Sequence, residues 1–388
     1  MTHWKTRLLH AGVKVPGGFE SLATPVYRGA TVVFPDAASV REGDRPERDG
    51  WTYGLYGTPT SIELAARVRE LEGGAGTVLV PSGQAAIALV NLTLLKAGDH
   101  VLLPESAYGP SQRLAREFLP VLGIEVGFYD PVAGEGIAAV MRANTRMVWC
   151  ESPGSITMEV QDVPAIARTA HAGGALVAVD NTWAAGVLFD ALAHGADVTM
   201  QALTKYVGGH SDLLLGSVTA KDDAVIDKLA RTRGMLGIGV SPDDCSFTLR
   251  GMLTMAVRLE AHERAAISVA RWLEGRPEVE RVLHPAMASC PGHELWARDF
   301  TGSCGLFSFV FREGVSFAAT RAFVDRLRLF KQGYSWGSVE SLALNYDLRG
   351  VEGNRSAYDF RIVRLHVGLE DVGDLIADLE QALVAVHY

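Results

Sequence analysis

The chain has 388 residues, 48% of them hydrophobic and 21% charged, which is enough apolar mass for two or three domains with a large core. A net charge of −9, with Lys and Arg scattered rather than clustered, argues against nucleic acid or an anionic membrane as a partner and points to a small-molecule ligand. Met1-Thr2-His3-Trp4-Lys5-Thr6-Arg7 lacks the apolar core of a signal peptide, and no run of about 18 uncharged apolar residues occurs, so a cytoplasmic location is expected.

Residues 1–57 are dense in Gly, Pro and aromatics with little periodicity, which predicts an extended arm of the kind that reaches a neighbouring subunit. From residue 58 to 243 strands and helices alternate. Strands are predicted at 77–80, 100–103, 125–129, 146–150, 175–179 and 197–201, and helices at 84–96, 111–118 and 164–171. That alternation specifies βα units and a mostly parallel sheet. Ala175-Leu176-Val177-Ala178-Val179 is apolar at every position, as expected of a strand covered by helices on both faces. Residues 244–388 predict a smaller α/β domain. A long helix at 243–273 is followed by strands at 281–284, 306–311 and 362–367 and helices at 318–327 and 372–384. Cys150, Cys245, Cys290 and Cys304 have no C-x-x-C spacing, so neither a metal site nor a disulfide framework is expected.

Three apolar strands end in polar groups: Cys150 leads to Glu151-Ser152-Pro153-Gly154, Val179 to Asp180-Asn181-Thr182, and Gln201 to Thr204-Lys205. In a parallel sheet those ends share one edge, where ligands of open α/β folds collect. A lysine there, desolvated, gives up its proton readily and can condense with a carbonyl, which is how pyridoxal phosphate (PLP) is held; a solvated surface amine is the other reading of Lys205. Asp180 is placed to meet the pyridine nitrogen and keep it protonated, or else is a turn residue. Pro81-Ser82-Gly83-Gln84 opens an apolar helix whose first amides suit a phosphate, although a Ser cap before a core helix is common. Arg364, inside the apolar strand Ile362-Val363-Arg364-Leu365-His366-Val367, needs an anion, either a substrate carboxylate or a structural salt bridge.

Taken together these residues resemble a known family, the PLP-dependent transsulfuration enzymes of Cys/Met metabolism, and within it the bacterial cystathionine β-lyase branch. The resemblance rests on Tyr53-Gly54-Leu55-Tyr56-Gly57-Thr58-Pro59-Thr60, Leu71-Glu72-Gly73-Gly74, Ala107-Tyr108-Gly109-Pro110-Ser111, Glu151-Ser152-Pro153-Gly154-Ser155, Asp180-Asn181-Thr182-Trp183, Thr204-Lys205-Tyr206, Gly209-His210-Ser211-Asp212 and Arg364-Leu365-His366-Val367-Gly368-Leu369-Glu370. It implies fold-type I, aspartate-aminotransferase-like: a mostly parallel seven-stranded sheet in a large domain, with a smaller C-terminal α/β domain. It also implies PLP as cofactor, an amino-acid thioether as substrate and a homotetramer built from active dimers.

Residue by residue, the resemblance implies that Lys205 holds the cofactor and moves protons, Asp180 pairs with the ring nitrogen and Tyr108 stacks on the ring. Gly83, Gln84 and Thr204 hold the phosphate, and Tyr53 reaches the cofactor of the adjacent subunit. Arg364 and the backbone near Ser335 bind the substrate α-carboxylate. Trp336 after Ser335, and Ser155-Ile156-Thr157-Met158-Glu159-Val160, resemble the β-lyases, which cleave L-cystathionine to homocysteine, pyruvate and ammonia. Packing alone is the other reading of Trp336. Other cysteine S-conjugates, a γ-lyase or γ-replacement synthase and a PLP-binding regulator with little turnover stay open as alternatives. Two departures stand out: Leu55 where the family usually has a phosphate-binding arginine, and Ala202 where it commonly has serine. Losing a charge-assisted hydrogen bond costs about 1.5–3 kcal/mol, so weaker cofactor retention is expected.

Overall fold

The computed structural model describes residues 3–10, 22–350 and 358–386; within the arm, residues 1–2 and 11–21 lie outside that description. Seven strands form the first sheet: β1 (Gly76–Val80), β2 (His100–Pro104), β3 (Glu125–Tyr129), β4 (Thr145–Glu151), β5 (Leu176–Asp180), β6 (Val198–Ala202) and β7 (Gly216–Ala220). Their spatial order is β1-β7-β6-β5-β4-β2-β3, with β7 antiparallel to both neighbours and the others sharing one direction. The central strands carry a core on each face. Val148, Val177 and Val179 join one apolar cluster, and Met147, Trp149 and Ala178 join the other. This matches the uninterrupted apolar pattern of those segments.

The second sheet has the order β10-β11-β9-β8, from β8 (Val279–Leu283), β9 (Leu306–Phe311), β10 (Leu342–Tyr346) and β11 (Ile362–His366), and every pairing is antiparallel. One helix, Pro242–Glu274, leads into it from the first sheet. Ser241 caps its start by accepting from the amides of Asp243 and Asp244, and Pro242 occupies the first turn, where no amide is needed. On β11, Val363 and Leu365 enter the core of the second sheet while Ile362 packs with the first, so Arg364 and His366, two residues apart, face the junction between the sheets.

Several elements depart from the sequence reading. The arm contains a helix at Trp4–His10, with Leu8 buried at 2% exposure and its carbonyl accepting from Arg67 Nη1. Helix Pro59–Glu72 and strand β7 were not anticipated. β7 is rich in small residues, Gly-Ser-Val-Thr-Ala, and lacks the β-branched apolar run that marks its neighbours. All four cysteines are free and buried. Among the described residues no helix is long and apolar enough to cross a membrane, and no group of three or more His, Cys, Asp or Glu side chains is set to hold a metal ion.

Candidate active site

The carboxyl ends of β4, β5 and β6 deliver the site. Glu151 closes β4 in register with Asp180, which closes β5, so two carboxylates stand side by side at one sheet edge. Asp180 is held by the next turn: Thr182 donates to Asp180 Oδ1 from its amide at 3.0 Å and its hydroxyl at 2.6 Å. The Thr182 hydroxyl oxygen in turn accepts from the Ala202 amide at 3.0 Å, which ties the end of β5 to the end of β6. Glu151 Oε2 accepts from the Tyr108 amide at 2.6 Å and thereby fixes the loop bearing that ring. Burial raises the carboxyl pKa of both acids; Asp180 further raises Glu151, while the Thr182 hydrogen bonds and Lys205 pull Asp180 back down. Asp180 is therefore the member of the pair better suited to stay ionised.

Lys205 follows β6 by three residues. Its Nζ donates to Ser335 Oγ at 2.7 Å and lies 5.5 Å from the centre of the Trp336 ring. Burial, then the nearby Arg364, lowers its pKa from 10.5 to about 8 against the opposing pull of Asp180. The sign follows directly: between about 8 and 10.5 the unfolded chain binds the proton and the folded one does not, so folding is increasingly favoured as pH rises through that window. The same shift predicts how the cofactor-free protein captures PLP. The covalent capture rate should climb as pH passes about 8 and level off above it, as followed by stopped-flow absorbance on stripped protein. A rate independent of pH across that range would contradict the assignment.

Arg364 is 8% exposed, and its only hydrogen bond among the described residues is a long one, 3.4 Å, to the Ser155 carbonyl; its guanidinium lies 5.0 Å from the Tyr346 ring centre. A buried guanidinium with so little compensation is a site prepared for an anion. Tyr108 is 41% exposed beside this group, and burial, then Asp180 and Glu151, push its phenol pKa up.

The helix starting at Gly83 rises from the end of β1 at the same edge. Its first amides, Gly83 and Gln84, have no preceding turn to supply an acceptor within the helix, while Ser82 caps the amide of Ala85. A Cβ on Gly83 would come within 2.7 Å of Ala202 Cβ, so the residue must be glycine for the helix start to sit this close to β6. The Gln84 side chain donates to the Pro110 carbonyl at 3.2 Å, while its Oε1 is buried without a partner. Thr204 is less free than expected. Its hydroxyl donates to the Leu215 carbonyl and accepts from the Leu215 amide, both at 3.1 Å, so its single O–H is engaged with the backbone leading to β7. Tyr53 is 48% exposed on the arm, bridged to Thr31, and makes no hydrogen bond to the Lys205 group within one chain. Leu55 packs toward Gly239.

Sequence reasoning gave no role to Glu151, Thr182, Tyr346 or His366. Glu151 carried the same signal as Asp180, an acid ending an apolar strand. Thr182 had the two-residue spacing at which a side chain caps an aspartate turn. Tyr346 and His366 come from the second sheet, whose approach depends on packing between sheets.

A lysine with a lowered pKa, an acid one strand away, a helix start and a buried arginine with no ion pair among the described residues come together at one sheet edge, a set whose chemistry suits an anionic aldehyde cofactor and a carboxylate-bearing substrate. The unpartnered Gln84 oxygen aside, each group has the polarity that PLP requires. The chain belongs to the Cys/Met metabolism PLP-dependent enzyme family, whose model matches residues 5–384. It is 41% identical over 388 residues to the cystathionine β-lyase MetC of Escherichia coli, spanning 98% of each chain. It is 35% identical to an L-alanine/L-glutamate racemase of Wolbachia pipientis, over 97% of this chain and 96% of that one. Among solved structures, cystathionine γ-synthase from Xanthomonas oryzae superposes with a TM-score of 0.91 at 31% identity, covering 99% of this chain and 98% of that one.

Proposed function

We propose that the protein is a PLP-dependent carbon–sulfur β-lyase that cleaves L-cystathionine to homocysteine, pyruvate and ammonia, with other cysteine S-conjugates as further substrates. The observation that carries the reading is Lys205, held on Ser335 and covered by the Trp336 ring, with Arg364 unpaired beside it. When bound, PLP supplies the electron sink that makes the α-proton of an amino acid removable. Lys205 would hold the cofactor and then take the α-proton, for which a pKa of about 8 is well placed. Asp180 would face the ring nitrogen, Tyr108 the ring, and the Gly83 and Gln84 amides the phosphate. Arg364 would pair with the α-carboxylate through its planar fork.

Elimination then breaks one bond, Cβ–S. The sulfur leaves with the electron pair and takes a proton to become the thiol, and one water completes the conversion to pyruvate and ammonia. γ-Chemistry needs a second proton removal one carbon further on. The Trp336 indole, 5.5 Å from the Lys205 amine, stands where the resemblance to the β-lyases puts a tryptophan and the γ-enzymes usually carry a smaller aliphatic residue. The 41% identity with the E. coli β-lyase supports the same branch. A cytoplasmic homotetramer belongs to this reading, in which the exposed Tyr53 reaches the cofactor of a neighbour.

The test is to mix PLP-loaded protein with L-cystathionine and identify the keto acid and the thiol. Pyruvate with homocysteine is expected. 2-Oxobutyrate with cysteine would move the protein to the γ branch, and D-alanine formed from L-alanine without either keto acid would favour the racemase reading that the Wolbachia relative suggests.

A further inference from the structure

The loop that carries Ser335 and Trp336 is built against its own backbone preferences. Ser335 has φ +87°, a left-handed value that a side chain rarely adopts, and Gly337 has φ +88°. Gly337 also presses on the strand-to-lysine turn: a Cβ there would fall 2.7 Å from the Tyr206 amide nitrogen and 2.9 Å from the Lys205 carbonyl carbon. Such a conformation persists only where its surroundings over-determine it.

The far end of the loop is anchored by Glu370, whose carboxylate accepts from the Ser341 amide and hydroxyl, both at 2.8 Å. Past Ser335, which the Lys205 amine holds, the loop meets the His366 side chain. His366 Nε2 lies 2.9 Å from the Ser338 carbonyl and 3.2 Å from the Gly337 amide nitrogen. Its Nδ1 is buried without a partner. One nitrogen cannot donate to the carbonyl and accept from the amide at once. The shorter contact, at an ordinary N–H···O length, places the proton on Nε2, donating to Ser338. Burial, then His262, Arg364 and Lys205, push the His366 pKa down to about 3, so the ring is neutral in the range where enzymes work.

The ring cannot swing away. Its centre lies 5.2 Å from that of His262, which is fixed by its own 2.9 Å bond to the Val367 carbonyl, and 6.0 Å from that of Tyr206, which in turn packs 5.4 Å from Trp336. Because β11 sends Arg364 and His366 to the same face, one strand supplies both the cation of the pocket and the support of the loop opposite it.

We propose that His366 is a positioning residue: by donating to the Ser338 carbonyl it keeps the Ser335 hydroxyl on the Lys205 amine and the Trp336 indole over it, and so sets the space open to the substituent on the substrate β-carbon. The kinetic part of this proposal rests on the lyase reading above; the structural part does not.

The experiment compares full-length, PLP-loaded wild type with H366F, H366Q and H366N. In H366F the amides of residues 335–338 should exchange about tenfold faster or more by mass spectrometry, the factor attached to one net hydrogen bond, with exchange elsewhere unchanged. KM for L-cystathionine should rise about tenfold with a smaller change in kcat, while the absorbance of the bound cofactor stays as in wild type. H366Q, whose amide nitrogen reaches the position of Nε2, should restore both readouts, and H366N, which reaches only as far as Nδ1, should not. The proposal is overturned if loop exchange is unchanged in H366F, if exchange rises across the whole chain without concentrating at 335–338, or if H366Q behaves as H366F does. Should wild type release neither product from L-cystathionine, the lyase reading fails by itself and the exchange pattern still decides the role of His366.

Discussion

Replacing Lys205 with alanine is expected to lower pyruvate release from L-cystathionine by about 10⁴-fold or more, with covalent cofactor attachment lost altogether. Two functions fall on one atom. The Nζ is the amine at this sheet edge that would bond a carbonyl, and in the proposed reaction it is also the base, with a pKa lowered to about 8. Arginine at 205 would keep the charge and restore neither function, since a guanidinium stays protonated. The fold should survive: a buried ammonium that the folded state binds reluctantly is a cost, so the thermal midpoint of the cofactor-free variant should equal or exceed that of the wild type. Turnover within tenfold of wild type, or a variant that fails to fold, would remove Lys205 from the role given to it.

Arg364→Met is expected to raise KM for the substrate by about 10²-fold or more, because a bidentate carboxylate contact comprises two charge-assisted hydrogen bonds worth about 1.5–3 kcal/mol each. Lysine at this position keeps a charge but not the fork and should recover only part of the loss. The second expectation runs in the opposite direction. With a single 3.4 Å hydrogen bond among the described residues, Arg364 is a poorly compensated buried charge whose pKa burial lowers, so methionine should raise the thermal midpoint of the cofactor-free protein. Activity lost together with stability would indicate a structural salt-bridge role; activity lost while stability rises identifies an anion site.

The strand ends were the most legible part of the molecule. An apolar segment that stops at Asp180 and another that stops short of Lys205 place both residues at one edge once the strands run parallel, and β5 and β6 do pair in parallel. Arg364 was legible for the same reason, as a charge in an apolar strand. What escaped depends on partners distant in sequence. β7 has little apolar character of its own and is a strand because β1 and β6 flank it. β10 was hidden in Leu342-Ala343-Leu344-Asn345-Tyr346, whose asparagine donates to the Phe360 and Ile362 carbonyls at the sheet edge. The second sheet was read as mixed α/β without its strand directions, and all of its pairings proved antiparallel. Thr204 shows the limit for single residues, because its motif position is right for a phosphate ligand while its hydroxyl is turned toward Leu215.

The position of β7 has a consequence for how the protein is made. Gly76 of β1 pairs with Ala220 of β7, and β7 in turn pairs with β6, so β1, which leads into the Gly83 helix, joins the sheet beside the Lys205 turn through a strand synthesised after both. A ribosome that has released the chain as far as Lys205 has exposed the Gly83 helix start, Asp180 and Lys205 but not the strand that joins β1 to β6. Cofactor capture should therefore begin only after residue 220 has cleared the exit tunnel, and until then the unpaired edges of β1 and β6 are surfaces on which nascent chains can associate wrongly.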